Sequence, residues 1–267
     1  MSIINSFEQV KDHINRIRGL RKGFITNFFP EQRKIEIWCS HNSLNLFETD
    51  EAVIFLKTDE EFTALMYCAT TVDELFAAIA LLSHEGTLVV DQIIDSRTNR
   101  SVLDRFIDAG FIIRKCLVRM SKVNSVPSTI DLISDTCVYE SDIPMLNHLL
   151  QTNFDKYSEQ LPTLEEIKDF VVEQHVIIKR VDDEIAGFII YDQTPSTLYL
   201  RYWLVNPNFR NKGIGSSLFR EFSRRGNACK RHILWVMEDN DNAIIRYKHY
   251  GYNEENLRNY VLTFNLK

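Results

Sequence analysis

One run of residues has the types and spacing to hold an anion: Val205-Asn-Pro-Asn-Phe-Arg210-Asn-Lys-Gly213-Ile-Gly215-Ser216-Ser217. It follows a segment that reads as a strand, 198–205, and opens one with helical periodicity, 214–225. A helix starting there offers unpaired N–H groups and the positive end of its dipole. Gly213 and Gly215 let the backbone turn and approach a ligand closely, in a chain with only 9 glycines. Arg210 and Lys212 add positive charge, and successive N–H groups can form a concave nest. The chemistry is that of a phosphate or pyrophosphate cradle; the plainer alternative is a bare helix start. Neither GxxxxGK[ST] nor GxGxxG occurs, so the P-loop and the dinucleotide fingerprint are excluded.

The elements that must position this loop read clearly in the second half. A helix is expected over 139–151, after Ser141-Asp142 as cap candidates. A second opens at Pro162, where Thr163 and Glu166 fit a capping box. Strands follow at 176–181 and 185–191, with Asp182-Asp183-Glu184 as the turn between them. After the loop and its helix come a strand at 233–237, a helix at 242–249, a break at Gly251 and a strand at 260–265.

A second group of residues joins the first: Asn240-Asp-Asn-Ala243-Ile-Ile-Arg-Tyr247-Lys-His-Tyr-Gly251-Tyr252. Residues 206–215, spaced R-x-x-G-x-G, resemble the acyl-CoA signature of the GNAT N-acetyltransferase superfamily. The second group resembles that family's N-x-x-A-x-x-x-Y-x-x-x-G-F element, with Tyr252 in place of phenylalanine. The resemblance covers roughly residues 136–267. It implies that Arg210, Asn211, Lys212, Gly213, Gly215 and Ser216 hold the CoA pyrophosphate. It implies also that the strand at Leu204 and Val205 pairs with the pantetheine arm, that Asn240 contacts that arm, and that acetyl-CoA is the acyl donor. Tyr247 would then protonate the leaving thiolate as the tetrahedral intermediate collapses, a role suited to a phenol. A core tyrosine is the alternative.

The general base is less evident. Family members commonly carry a glutamate on the strand before the loop, and Leu198-Tyr-Leu-Arg-Tyr-Trp-Leu-Val205 has no carboxylate. Glu238, at the end of the next strand, is the candidate, against a solvated strand end; Asp155 and Glu159 are weaker ones, in the segment where the family builds its acceptor pocket. By period two, Tyr199, Arg201 and Trp203 share a face. Arg201 among aromatics could take an acceptor carboxylate, or simply pair with an acidic neighbour across the sheet. Phe154 and Tyr157 would wall the same cleft, or pack as core.

The 267 residues allow one large domain or two ordinary ones. The best linker is 122–129, polar and carrying Pro127, which suggests domains at 1–125 and 130–267. The first half ends in a similar unit. Leu88-Val-Val, a helix at 101–109, Gly110-Phe111 and a strand at 112–120 parallel Leu234-Trp-Val, a helix, Gly251-Tyr252 and the last strand. A helix is also expected near 75–82. The position matching the cradle, Cys68-Ala-Thr-Thr-Val-Asp-Glu-Leu75, has no glycine and two acidic residues that would repel pyrophosphate. The expected fold is therefore α/β (α+β), two tandem GNAT-like domains. Each would be a mixed, mostly antiparallel sheet flanked by helices, the first degenerate and without a CoA loop.

Composition narrows the partners. Hydrophobic residues make up 45% and charged residues 25%, as in globular proteins. A net charge of −6 gives no whole-molecule basic footprint for nucleic acid. No apolar run reaches the ~20 residues that span a bilayer, and no signal-peptide core is present, so no membrane partner and a cytoplasmic location are expected. The five cysteines form no CxxC or Cys/His cluster, and the seven histidines have no metal spacing; reduced thiols and no metal are expected. The partner is expected to be a small-molecule or peptide amine. Two other classes stay open: a CoA-binding sensor or scaffold without catalysis, and a tandem-fold aminoacyl transferase using charged tRNA.

Overall fold

The computed structural model describes residues 1–59, 61–95, 97, 100–124 and 138–266. The chain forms two compact units, Met1–Leu117 with Asn256–Lys267, and Val118–Glu255. In chain order the first half contains β1 (Ser2–Ile3), α1 (Phe7–Gly19), β2 (Ile25–Thr26), α2 (Gln32–Ser40), β3 (Leu44–Glu48) and β4 (Ala52–Thr58). It continues with β5 (Thr63–Ala69), α3 (Val72–Ala80), β6 (Gly86–Asp95), α4 (Ser101–Asp108) and β7 (Ile112–Val123). The second half contains α5 (Ile143–Asn153), α6 (Leu164–Val172), β8 (Val176–Val181), β9 (Glu184–Gln193) and β10 (Thr197–Val205). It ends with α7 (Ile214–Arg225), β11 (Arg231–Met237), α8 (Asp241–His249) and β12 (Asn253–Leu266).

In the first unit the strands run β1-β3-β4-β5-β6-β12, with β2 added on β5. The pairings among these strands are antiparallel except that of β5 with β6. Helices α1 and α2 cover one face, burying Val10, Ile14, Ile17 and Ile35 against Leu44, Leu46, Val53 and Phe55. Helices α3 and α4 cover the other, with Leu75, Phe76, Leu103 and Phe106 on Ile54, Leu56, Leu65 and Tyr67. Each such fully buried side chain contributes about 1.5–3 kcal/mol.

In the second unit the order is β7-β11-β10-β9-β8, antiparallel through β8, β9 and β10 and parallel between β10 and β11. Helices α5 and α6 bury Leu146, Leu150 and Ile167 on one face, and α7 buries Leu218, Phe219 and Phe222 on the other. The expected capping box opens α6: Glu166 N–H donates to Thr163 Oγ1 (3.2 Å), and Thr163 N–H to Glu166 Oε2 (2.8 Å). Between β8 and β9 the turn is two residues, Asp182 and Asp183, both at positive φ. That is the hairpin geometry whose twist suits the flanking strands. Glu184, expected in the turn, pairs with Val181 instead.

The expected mixed, mostly antiparallel architecture is present, and β6–α4–Gly110–β7 repeats as β11–α8–Gly251–β12. The boundaries differ from 1–125 and 130–267. The break falls between Leu117 and Val118, and Asn256–Lys267 joins the first unit. The reason is strand pairing. β12 pairs with β6 from Leu257↔Asp95 to Leu266↔Gly86, and Leu262 is buried in that unit's core. Val118 and Met120 of β7 are buried in the core of the second unit. Residues 125–129 of the expected linker, and Cys137, lie outside the described residues. Cys39, Cys68, Cys116 and Cys229 are free thiols. No described helix is long and apolar enough to cross a membrane.

Candidate functional site

The parallel pair β10/β11 opens part-way along. Its register runs from Thr197↔Arg231 to Leu200↔Leu234, yet β10 continues to Val205 and β11 to Met237. The opening begins where β10 bulges, since the β9/β10 register shifts between Leu200 and Tyr202. Arg201 is the extra residue, and a bulge of one exchanges the two faces of a strand. Leu198 and Leu200 belong to the core under α7, whereas Tyr202 and Leu204 belong to the core under α5 and α6. Trp203 and Val205 now pack on the α7 side. The expectation that Tyr199, Arg201 and Trp203 share one face is therefore corrected. Period two holds only up to the bulge.

From Arg201 to Val205 the edge of β10 facing β11 has no strand partner among the described residues. Leu204 and Val205 lie at the wide end of this wedge. The loop that follows is held by its own backbone and by Asn206. Its N–H donates to Ala186 O (3.0 Å), and its Oδ1 accepts from Asn208 N–H (3.1 Å). Asn211 (φ 61°) and Gly213 (φ 75°) turn the chain into α7, whose first turn has no side-chain cap. A Cβ at Gly213 would meet nothing within 4 Å, so glycine is needed there for its conformation alone. Arg210, Asn211, Lys212, Gly213 and Ser216 are exposed around these uncapped donors. Tyr250 Oη–H reaches Ser216 Oγ (3.4 Å), and Lys212 Nζ lies 5.2 Å from the Phe209 ring centre.

Asn240 caps α8, its Oδ1 accepting from Ala243 N–H (3.1 Å). One and two turns further on stand Ile244 and Tyr247. Tyr247 is half-buried, its ring 5.8 Å from Trp203 and 6.0 Å from Tyr252. Its hydroxyl makes no hydrogen bond among the described residues. Burial, reinforced by the charge of Glu159 and opposed by Arg246, raises the phenol above its ordinary value. It therefore keeps its proton at neutral pH. Sequence reasoning did not identify Trp203 as the hub of this cluster. Its indole also meets Phe219 (5.1 Å), Tyr250 (6.2 Å) and the guanidinium of Arg246 (5.7 Å). Period two hid it, because the bulge has no signature in the residue types of β10.

On the other side of β10, Phe154 ends α5 and packs edge-on to Tyr202 (5.5 Å). Tyr202 Oη lies 3.0 Å from the carbonyl of Glu159 and 2.5 Å from that of Gln160, fixing that segment to the sheet. Asp155 Oδ1 accepts from Tyr157 N–H, Ser158 N–H and Ser158 Oγ, and Glu159 Oε2 accepts from Asp155 N–H. These carboxylates hold the turn that carries Tyr157. Glu238 is exposed just after β11. Arg201 lies 3.6 Å from Asp192 Oδ2 on β9 and 5.0 Å from the Tyr199 ring centre, so it does pair with an acidic neighbour across the sheet. No group of three potential metal ligands occurs among the described residues.

The family model described as Acetyltransferase (GNAT) family matches residues 143–252. The second half of the chain carries a GNAT domain. Solved structures of the same fold extend the likeness beyond it. The tandem GNAT protein from the clavulanic acid biosynthesis pathway is 10% identical, with a TM-score of 0.57 over 98% of this chain and 97% of that one. An acetyltransferase from the GNAT family of Colwellia psychrerythraea is 10% identical, with a TM-score of 0.56 over 100% of this chain and 99% of that one. A GCN5-related N-acetyltransferase from Sphaerobacter thermophilus is 14% identical, with a TM-score of 0.53 and 88% of each chain covered. At these identities the likeness is one of fold, and it spans both units. No curated protein matches the chain. The GNAT domain includes the whole wedge, the loop 206–213 and α8 with Tyr247.

Proposed function

We propose that the chain is an acyl-CoA-dependent N-acyltransferase that moves an acetyl group from acetyl-CoA to a primary amine of a small molecule or peptide. The observation that carries this is the wedge between β10 and β11, which leads to the uncapped start of α7. A strand edge without a partner can pair with the amides of a pantetheine arm, and the first-turn N–H groups with Arg210 and Lys212 suit a pyrophosphate. In this reading Asn211, Gly213, Gly215 and Ser216 shape the cradle, Leu204 and Val205 line the arm, and Asn240 meets it with the part of its amide that the cap leaves over.

The reaction is direct attack. The amine nitrogen adds to the thioester carbonyl, the tetrahedral intermediate collapses, the C–S bond breaks, the sulfur takes the proton of Tyr247, and the proton that the new amide nitrogen gives up restores the phenol. The raised phenol keeps that proton available. The remainder of the rate enhancement comes from approximation of amine and thioester. Glu238, exposed just after β11, is the proposed base for the incoming ammonium. Tyr199, Arg201, Phe154 and Tyr157 are the proposed acceptor-side residues.

Calorimetric titration with acetyl-CoA, and an amine panel read by free-thiol release, test the proposal. The expected results are saturable binding that Gly213→Glu abolishes, and thiol release with at least one amine. No binding, or binding untouched by Gly213→Glu, would overturn it; binding without release for any amine would leave a CoA-binding protein that is not an enzyme.

A further inference from the structure

The first unit contains an opened parallel pair of the same kind. β5 and β6 are paired only at Thr63↔Leu88 and Ala64↔Val89, although β5 runs on to Ala69 and β6 to Asp95. One edge of β5 is taken along its length by β4, from Thr58↔Thr63 to Ala52↔Ala69. A strand has two hydrogen-bonding edges, so any further partner of β5 must lie on the side from which β6 has diverged.

That partner is the chain itself. β2 pairs antiparallel with β5, Ile25↔Ala69 and Thr26↔Cys68. Thr26 Oγ1 donates to Tyr67 O (2.6 Å). Asn27 then spans the gap. Its Nδ2 lies 3.2 Å from Leu65 O on β5 and 3.1 Å from Asp91 O on β6, and its Oδ1 accepts from Tyr67 N–H (2.7 Å). One side-chain amide thus bridges the carbonyls of the two diverging strands. Phe28, 7% exposed, anchors the segment by packing on Phe55 (4.9 Å).

The entry of the segment is as telling. Gly23 has φ 124°, and a Cβ on it would stand 2.6 Å from Thr70 O, at the end of β5 and the approach to α3. This is the place where, in the second unit, the loop after β10 reaches α7. Here α3 is capped by its own Thr71, whose Oγ1 accepts from Glu74 N–H (3.2 Å), and its first turn carries Asp73 and Glu74. Lys22 is paired with Glu51, whose Oε2 accepts from Thr70 Oγ1 (2.7 Å). From Gly23 to Asn27 the segment therefore runs from the helix start down into the wedge.

We propose that residues 23–28 are an internal ligand of the first unit, filling the wedge that the second unit offers to an acyl-CoA arm, so that each chain binds one acyl-CoA. The comparison with the acyl-CoA arm rests on the function proposed above. An extended segment adds to a strand edge by the same main-chain pairing that an amide-bearing arm would use. Being tethered, it competes at an effective concentration of about millimolar or more, without separate translational cost.

Two measurements on the full chain test this: calorimetric stoichiometry with acetyl-CoA, and hydrogen exchange at the Tyr67 amide. Wild type should bind one equivalent and keep the Tyr67 amide protected before and after saturation. Asn27→Ala should speed exchange at Tyr67 by about tenfold, the worth of one hydrogen bond, without altering the first binding event. If Asn27→Ala does not fold, Thr26→Val, which deletes the Oγ1 bonds to Tyr67 O and to the Phe28 backbone and leaves Asn27 Oδ1 on the Tyr67 amide, should give a smaller acceleration at the same amide. A second equivalent in wild type, or a Tyr67 amide that exchanges freely, would overturn the proposal. If acetyl-CoA does not bind at all, the function assigned to the second unit fails, and Tyr67 exchange still decides whether the segment fills the wedge.

Discussion

Gly215 lies flush on Trp203: a Cβ on the glycine would stand 3.4 Å from Cζ2 of the indole and 3.3 Å from Cγ2 of Val205. Gly213, two residues earlier, would meet nothing, but its φ of 75° is unfavourable for any side chain. The two glycines are therefore needed for different reasons, and alanine should separate them. Gly215→Ala should raise the acetyl-CoA Kd about tenfold, because α7 must shift by a few tenths of an ångström off Trp203. Its Tm should change little, since alanine regains about 1 kcal/mol of helix propensity. Gly213→Ala should lower stability by about 1–2 kcal/mol through left-handed strain. Calorimetry paired with thermal unfolding reads both, and equal behaviour of the two variants would refute the distinction.

Tyr247→Phe keeps the ring contacts with Trp203 and Tyr252 and removes the proton. It should lower kcat by about 100-fold or more with KM for acetyl-CoA nearly unchanged. Burial raises the wild-type phenol above its ordinary value of about 10, so wild-type kcat should show no alkaline limb from this group up to about pH 10. A pH–rate profile from 6 to 10 checks this. A decline in kcat setting in above pH 9 that Tyr247→Phe abolishes would show an unraised phenol.

The proposed cradle is legible because its needs are local. Two glycines, two cations and a helix start lie within a few residues, and the structure places them at the mouth of the wedge. The capping box at Thr163 and Glu166 was legible for the same reason. The bulge at Arg201 was not, since nothing in Leu198–Val205 distinguishes an inserted residue from regular alternation, and every side chain beyond it changes face. The partner of β12 was not legible either. Its alternation states that one face is buried, not against which strand. Residues 23–28 carry no signal of their part in the fold, because Asn27 acquires its role only when β6 leaves β5.

Where the units divide is open to a direct experiment. A fragment of residues 130–267 lacks Val118 and Met120, which are 1% and 0% exposed in the second core, and carries Val261 and Leu262 away from the core that buries them. Two missing core side chains cost about 3–6 kcal/mol, comparable to the whole stability of a domain. That fragment should be insoluble or molten, whereas residues 118–255 should fold cooperatively. Circular dichroism and thermal melts of the two fragments distinguish them. A cooperative melt of 130–267 would show that β7 is dispensable.

His232 gives the second unit a pH dependence whose sign follows from its surroundings. It is 1% exposed, its Nε2 lies 3.0 Å from Gly226 O and 2.9 Å from Asn124 Nδ2, and its Nδ1 has no hydrogen-bond partner. The cation would hold a charge and an Nδ1–H with no acceptor in a buried place, so burial lowers its pKa below the ordinary histidine value of about 6.5. His175 is lowered for the same reason. A group with a depressed cationic pKa binds its proton first in the unfolded chain. Its stabilising contribution is therefore complete above about pH 6.5 and is lost as pH falls towards the folded pKa, by up to about 1.4 kcal/mol per pH unit for each histidine. Urea unfolding of wild type should show a flat stability between pH 7.5 and 9 and a decline from pH 6.5 to 5. His232→Gln, which can still donate to Gly226 O, should flatten that decline by the share of one proton; an unchanged slope would mean that His232 titrates normally in the folded chain.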